Sequence, residues 1–163
     1  MMTLEPKFIG GKISAPPSKS EAHRALICAA LSDAKTYVKC GSVCNDVKAT
    51  ADALCALGAK IIYEDGVFTV FPTEKTAECV AGDCAASGST LRFVLPVAAA
   101  LGTKCEFLLD DSLKKRPSAE LYDALSQGGA HIEAGDSVLL SGKFEGGNYE
   151  ISGDISSQYA SGL

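Results

Sequence analysis

Four short clusters in this 163-residue chain carry residue types suited to holding an anion. The first is Ser18-Lys19-Ser20-Glu21-Ala22-His23-Arg24, directly after Pro16-Pro17. Ser18 and Glu21 have capping-box spacing, so a helix is expected to start there. A helix N-terminus carries partial positive charge and favours Asp and Glu in its first turns. Here Lys19, His23 and Arg24 crowd that end, and Ser20 and Arg24, four apart, share one face. Free N–H groups, hydroxyls and two cations at one helix start suit a bound anion. The plainer alternative is an ordinary Ser18 cap beside solvated cations.

The second cluster is Ala86-Ser87-Gly88-Ser89-Thr90, followed by Arg92. Gly88 either lets a ligand approach the backbone or simply makes a turn. Arg92 occupies the same early-turn position as Arg24, or serves as a structural ion-pair partner. The third is Lys114-Lys115-Arg116 ahead of Pro117. A planar guanidinium at that place suits a carboxylate or phosphate bidentately, whereas Lys115 reads as a solvated neighbour. The fourth is Asp154-Ile155-Ser156-Ser157-Gln158. No Ser/His/Asp pattern, Walker-type loop or metal cluster accompanies them. His23 reads as part of a cation-rich turn or as a packed neighbour rather than as a general base.

The elements that must position these clusters repeat along the chain. Ser20–Leu31 and Ser89–Leu101 both run from a hydroxyl through an Arg to Ala-Ala-Leu. Ala53-Leu54 followed by Gly58-Ala59-Lys60-Ile61 recurs as Ala124-Leu125 followed by Gly129-Ala130-His131-Ile132, about 70 residues later. Each copy reads as strand, helix, strand, helix, strand, strand. In the first, strands are expected at Lys12–Ala15, Thr36–Cys40, Lys60–Tyr63 and Val67–Phe71. Its helices are expected at Lys19–Leu31 and from an Asp46 cap to Leu57. Asp65-Gly66 signals a hairpin turn.

In the second copy the corresponding strands are Glu78–Val80, Lys104–Leu109, Ala130–Glu133 and Val138–Leu140. Its helices are Ser89–Leu101 and Pro117–Ser126, with Gly135-Asp136 as the turn of the closing hairpin. Pro117 suits a first helical position, and Pro96 should kink its helix or delay its start. A third copy begins with a strand at Tyr149–Ile151 and a helix from Ser156, and the chain stops within a turn or two of it. The repeats span about 8–72, 77–142 and 148–163, so the chain reads as a piece of a longer protein. A pseudo-threefold relation would open the first helices of all three copies on one side of the domain.

Hydrophobic residues make up 47% of the chain, enough for a folded core. A net charge of −5 argues against a general nucleic-acid binder. Seven cysteines without a Cys-x-x-Cys read as buried thiols in a reducing compartment. The N-terminus lacks signal-peptide layout, and the longest apolar run is about half a membrane span. The expectation is a cytoplasmic protein.

Pro17-Ser18-Lys19-Ser20-x-x-His23-Arg24, Ser87-Gly88-Ser89-Thr90-Leu91-Arg92-Phe93, Leu113-Lys114-Lys115-Arg116-Pro117 and Ser156-Ser157-Gln158-Tyr159 occur in the order and spacing of a known family. Together they resemble the 5-enolpyruvylshikimate-3-phosphate synthases, or 3-phosphoshikimate 1-carboxyvinyltransferases, and the likeness covers essentially the whole chain. The resemblance implies an α/β (α+β) fold of βαβαββ units, an inside-out α/β barrel. Two such domains enclose a cleft where helix N-termini converge. It implies transfer of the enolpyruvyl group of phosphoenolpyruvate to the 5-hydroxyl of shikimate 3-phosphate. Phosphate leaves by addition and elimination, without metal or organic cofactor. The reaction belongs to the shikimate pathway, which leads to chorismate and the aromatic amino acids, and the family is the target of glyphosate.

By this resemblance Lys19, Ser20, Arg24, Ser156, Ser157 and Gln158 bind shikimate 3-phosphate. Lys19, Gly88, Arg116 and Gln158 bind phosphoenolpyruvate. The acid and base groups belong to a C-terminal part that this chain lacks, so the chain would hold half a site and no activity alone. The expected partners are the two substrates and that C-terminal domain, in a monomeric full-length protein with no nucleic acid or membrane. Many members have Asn where this chain has Ala86, which removes one expected polar contact. Two alternatives are weighed. The UDP-N-acetylglucosamine enolpyruvyl transferases share the fold and chemistry, but they carry a reactive Cys shortly before the Arg-Pro pair, and residues 110–115 contain none. A non-catalytic anion-binding module is the other.

Overall fold

The computed structural model describes residues 10–74, 78–152 and 154–163. The expected starts of the first repeat, about residue 8, and of the second, about 77, lie outside the described residues. Two sheets, each lined on one face by helices, make up the architecture. In the first half, α1 (Lys19–Ala30), β1 (Thr36–Lys39), α2 (Asn45–Ala56), β2 (Lys60–Glu64) and β3 (Val67–Phe71) follow one another. Their sheet has the order β1-β3-β2, antiparallel throughout. Asp65 and Gly66, with φ of 48° and 78°, make the two-residue link between β2 and β3. Both central residues are left-handed, as the turn that matches strand twist requires.

The second half holds β4 (Glu78–Ala81), α3 (Gly88–Leu101), β5 (Lys104–Leu108), α4 (Asp111–Lys114), α5 (Ala119–Gln127), β6 (Ala130–Ala134) and β7 (Ser137–Gly142). Its sheet has the order β4-β5-β7-β6, with β4 and β5 parallel and the remaining pairs antiparallel. A parallel pair needs a long crossover, which α3 supplies. A last helix, α6 (Ser157–Gly162), follows.

Alternation along the strands sends one face of each sheet inward. Phe68 and Val70 of β3 point in, as do Cys105 and Phe107 of β5 and Val138 and Leu140 of β7. Tyr37, Ile62, Leu108 and Leu139 stay exposed on the other faces. Helices therefore fill the interior and strands face outward. Two cores result. Leu26, Ala29 and Ala30 of α1 pack with Val47, Ala51 and Leu54 of α2 against the first sheet. Leu91, Val94, Leu95 and Ala98 of α3 pack with Leu121 and Leu125 of α5 against the second. Helix α2 joins the two, because its Ala53 and the adjoining Leu57 lie in the second core.

Several expected elements take a different form. Lys12–Ala15 forms no strand: Ile13 is 96% exposed, and an extended segment without a ladder partner is not a strand. In the second sheet β4 occupies the equivalent edge beside β5. Tyr149–Ile151 also forms no strand; Tyr149 is held by its ring against Phe144 and by its hydroxyl donating to the Glu145 carbonyl. Helix α2 starts two residues earlier than expected, with Cys44 at its N-cap and Asp46 inside its first turn. Pro117 precedes the Ser118 N-cap of α5 rather than opening that helix, because a short α4 capped by Asp110 comes first. Three of the described cysteines, Cys28, Cys44 and Cys55, are exposed rather than buried.

Pro96 neither delays nor interrupts α3, which runs from Gly88 to Leu101. Its missing N–H leaves the Arg92 carbonyl without the usual helical donor. The last turn of α6 covers that place, with Gly162 against the Arg92 carbonyl and the Pro96 ring.

Candidate anion-binding site

Helix α1 begins as the Ser18 spacing predicts, with Ser18 Oγ accepting from the Glu21 amide at 3.3 Å. Its apolar stripe buries Ala22, Leu26, Ala29 and Ala30, and this fixes the direction in which the first turn points. Lys19 leaves that turn and bonds Asp46 Oδ2 at 2.7 Å, which ties the start of α1 to the start of α2. The hydrogen bond to Asp46, and then its charge, raise the Lys19 pKa above its ordinary value. Arg116 lies close enough to oppose this shift electrostatically.

Arg24 sends Nη1 back to the Ser20 carbonyl at 3.0 Å and lies over the Phe93 ring at 4.6 Å. Its Nε and Nη2 both donate to Ser161 Oγ, at 3.1 and 2.9 Å, so α1 reaches the end of α6. His23 is fully buried, and burial pushes its pKa down to about 4. It is the packed neighbour of the two readings of this residue, not a third cation.

The start of α3 is capped by Ser87, whose Oγ accepts from the Thr90 amide at 3.2 Å. Gly88 follows, and two guanidiniums converge on it. A Cβ at Gly88 would stand 3.3 Å from Arg92 Nη1 and 3.4 Å from Arg116 Nη1. The same Arg92 Nη1 donates to Gln158 Oε1 at 2.8 Å, and Nη2 donates to the Pro117 carbonyl at 3.0 Å. Gln158 Nε2 completes the link by donating to Ser89 Oγ at 2.9 Å. Ser156 caps α6, with Oγ accepting from the Gln158 amide at 3.2 Å.

The structure thus draws Gly88, Arg116 and Gln158 into one cluster, with Lys19 and Asp46 beside Arg116. Arg24 forms a second contact, to Ser161. Ser20 and Ser157 stand exposed on the first turns of α1 and α6. Lys114 is turned away, paired with Asp111 and Asp136 at 3.3 and 3.4 Å. Among the described residues, Arg24, Arg92 and Arg116 have no carboxylate partner. Asp110 lies close enough to Arg116 to feel its charge, but no carboxylate is ion-paired to the Arg92 or Arg116 guanidinium among the described residues. An anion between the two would relieve their mutual repulsion.

The sequence left three of these features unassigned. Asp46 reads as a helix cap, yet it holds Lys19. Arg92 leaves a structural and a ligand role equally open, and here it anchors Gln158. Thr50 reads only as a lone hydroxyl within an apolar helical pattern, with no sign of its partner Thr90 in the second cluster, and both are buried.

Residues 5–163 match the family described as EPSP synthase (3-phosphoshikimate 1-carboxyvinyltransferase). The 3-phosphoshikimate 1-carboxyvinyltransferase of Clostridium beijerinckii is 35% identical over 173 aligned residues, covering 99% of this chain and 40% of that protein. The protein of the same name from Halobacterium salinarum is 37% identical over 168, covering 99% and 39%. The solved EPSP synthase of Acinetobacter baumannii superposes with a TM-score of 0.75 at 25% identity, over 93% of this chain and 36% of that one. The chain therefore spans about two fifths of the length of the curated relatives it matches. In sequence along nearly its whole length, and in its outward-facing sheets around buried helices, the chain belongs to the EPSP synthase family.

Proposed function

We propose that this chain forms the N-terminal domain portion of a two-domain enolpyruvyl transferase and supplies one wall of its active site. The repeats at about 8–72, 77–142 and 148–163 each present a helix start to that wall. In the whole enzyme, the enolpyruvyl group of phosphoenolpyruvate passes to the 5-hydroxyl of shikimate 3-phosphate, and phosphate is released. Ser20, Arg24, Ser156 and Ser157 hold shikimate 3-phosphate. Gly88 and Arg116 hold phosphoenolpyruvate, and Lys19 and Gln158 reach both.

The observation that carries this assignment is the convergence of Arg92 and Arg116 on Gly88, neither of them ion-paired to a carboxylate among the described residues. Absence of a side chain at Gly88 leaves room for an anionic group against the first amides of α3, where the helix dipole also favours negative charge. Bidentate guanidinium contacts would fix its orientation. Lys19 is charged at neutral pH and sits at the α1–α2 junction, from which an ammonium can bridge two anions. Its bond to Asp46 holds it in place until ligands compete for it.

This wall binds and orients; proton transfer falls to groups outside the chain. The test is phosphate release from shikimate 3-phosphate and phosphoenolpyruvate. The chain alone should release none above background. Turnover by the chain alone would contradict the division of labour.

A further inference from the structure

His23 stands at one end of a buried polar chain that links α1, α2 and α3. Its Nδ1 is 2.7 Å from Thr50 Oγ1 on α2, and Thr50 Oγ1 is 2.7 Å from Thr90 Oγ1 on α3. Thr90 Oγ1 in turn lies 3.2 Å from the Asp46 carbonyl and 2.8 Å from Ser87 Oγ. His23, Thr50 and Thr90 are all fully buried, and Ser87 is 1% exposed.

The proton count fixes the direction of this chain. Thr90 is the donor towards both the Asp46 carbonyl and Ser87 Oγ, which share its single hydroxyl proton. Thr90 must then accept from Thr50, and Thr50, its single proton used, must accept from His23. His23 is therefore neutral with its proton on Nδ1. Its Nε2 is a bare lone pair, buried without a partner. The opposite direction would forfeit the Asp46 bond and bury an unpaired Nε2–H instead, which is the costlier arrangement.

We propose that His23 is a positioning residue for the anion site: its Nδ1–H starts a one-way chain through Thr50 and Thr90 that sets Asp46, and with it Lys19, against the Ser87-Gly88 turn. The proposal rests on the assignment of these helix starts to the two anionic substrates. Both acceptors at the far end of the chain reach that site. Asp46 accepts through its backbone and holds Lys19 through its side chain. Ser87 takes part in the chain and caps the helix that Gly88 opens. Among the described residues, the charged groups acting on His23 are Lys19 and Arg24 of α1 and Asp46 of α2, while α3 presents the uncharged Phe93 ring. A protonated His23 would add a third cation beside Lys19 and Arg24 and bury an unpaired N–H. The low pKa keeps that form out at neutral pH.

The test compares His23→Asn, His23→Leu, Thr90→Val and Thr90→Ser with the unaltered chain. Asn places an amide N–H where Nδ1–H stood, and Ser restores the hydroxyl. Ring 15N shifts of the unaltered chain should show the Nδ1–H tautomer. Backbone amide shifts of Asp46 and Gly88 should move in His23→Leu and Thr90→Val and return in His23→Asn and Thr90→Ser. Shikimate 3-phosphate should bind about fivefold to tenfold more weakly to the Leu and Val variants than to the other three proteins. Should His23→Leu fail to fold, Thr90→Val and its Ser rescue carry the comparison alone. An Nε2–H tautomer, or Gly88 and Asp46 amides unmoved by Thr90→Val, would overturn the proposal. Failure of the unaltered chain to bind shikimate 3-phosphate would instead count against the substrate assignment, and the tautomer and amide shifts would still decide the role of His23.

Discussion

Gly162 packs against the carbonyl of Arg92, the acceptor that Pro96 leaves without a helical partner. A Cβ at Gly162 would lie well inside 3.0 Å of that oxygen. The close approach brings α6 onto α3, so that Gln158 meets Arg92 and Ser89, and the Tyr159 hydroxyl donates to the Pro117 carbonyl. A gap in the hydrogen-bond ladder of one helix thus becomes the seat of another.

Gly162→Ala should therefore release α6 from α3. Hydrogen exchange at the Tyr159 amide and ring-current shifts from Tyr159 would report it. Faster exchange is expected at α6, with α1 and α2 unchanged. A rigid α6 in the variant would show that the glycine is not what permits docking.

Gly88→Ala should weaken phosphoenolpyruvate binding while sparing shikimate 3-phosphate, because the new methyl would crowd the Nη1 atoms of Arg92 and Arg116. Gly88 has no positive φ, so the backbone itself accepts the change. Separate titrations of the two ligands check this. Equal losses for both would mean that the effect spreads beyond the guanidinium pair.

The low His23 pKa makes stability depend on pH in a definite direction. The group titrates near 6.5 when unfolded and about 4 when folded, so the unfolded chain binds the extra proton between those values. Stability is therefore present in full above about pH 6.5 and is lost as pH falls towards 4, by up to ~3 kcal/mol. Urea midpoints across this window should fall for the unaltered chain and fall less for His23→Asn. Parallel slopes would place the acid sensitivity elsewhere.

The Lys19–Asp46 pair behaves differently. Its side chains are 52% and 31% exposed, so it should add at most ~1 kcal/mol to stability. The raised Lys19 pKa means that this contribution is present below about pH 10.5 and fades as pH rises through the folded value. Asp46→Asn is expected to leave the urea midpoint at neutral pH nearly unchanged. A large loss would make the pair a structural bridge and weaken its link to ligand binding.

The sequence made the helices and hairpins legible because their signals are local. Ser18 with Glu21, Asp65-Gly66 and the Ala-rich stripe of α1 each act within a few residues. Lys12–Ala15 and Tyr149–Ile151 failed as strands because pairing is a property of the neighbour, not of the segment. Among the gathered residues, Lys19 and Arg116 stand out in the sequence as cations set against a helix dipole, whereas Gly88 reads equally as a turn and Gln158 gains a role only from the family resemblance. Asp46 and Arg92 were harder to read, since an acidic residue in a first turn and an Arg on a helix look ordinary until their partners are known. The Thr50–Thr90 contact joins residues 40 apart, and no local pattern announces it.

Calorimetric titration of shikimate 3-phosphate against this chain and its Arg24→Ala variant decides whether these helix starts form an anion site. Among the described residues Arg24 bonds the Ser20 carbonyl and Ser161 and stacks on Phe93, which leaves part of its five-donor guanidinium available to an anion. Binding by the unaltered chain is expected, with a loss on the order of tenfold in the variant. Equal affinities in the two proteins would contradict the assignment.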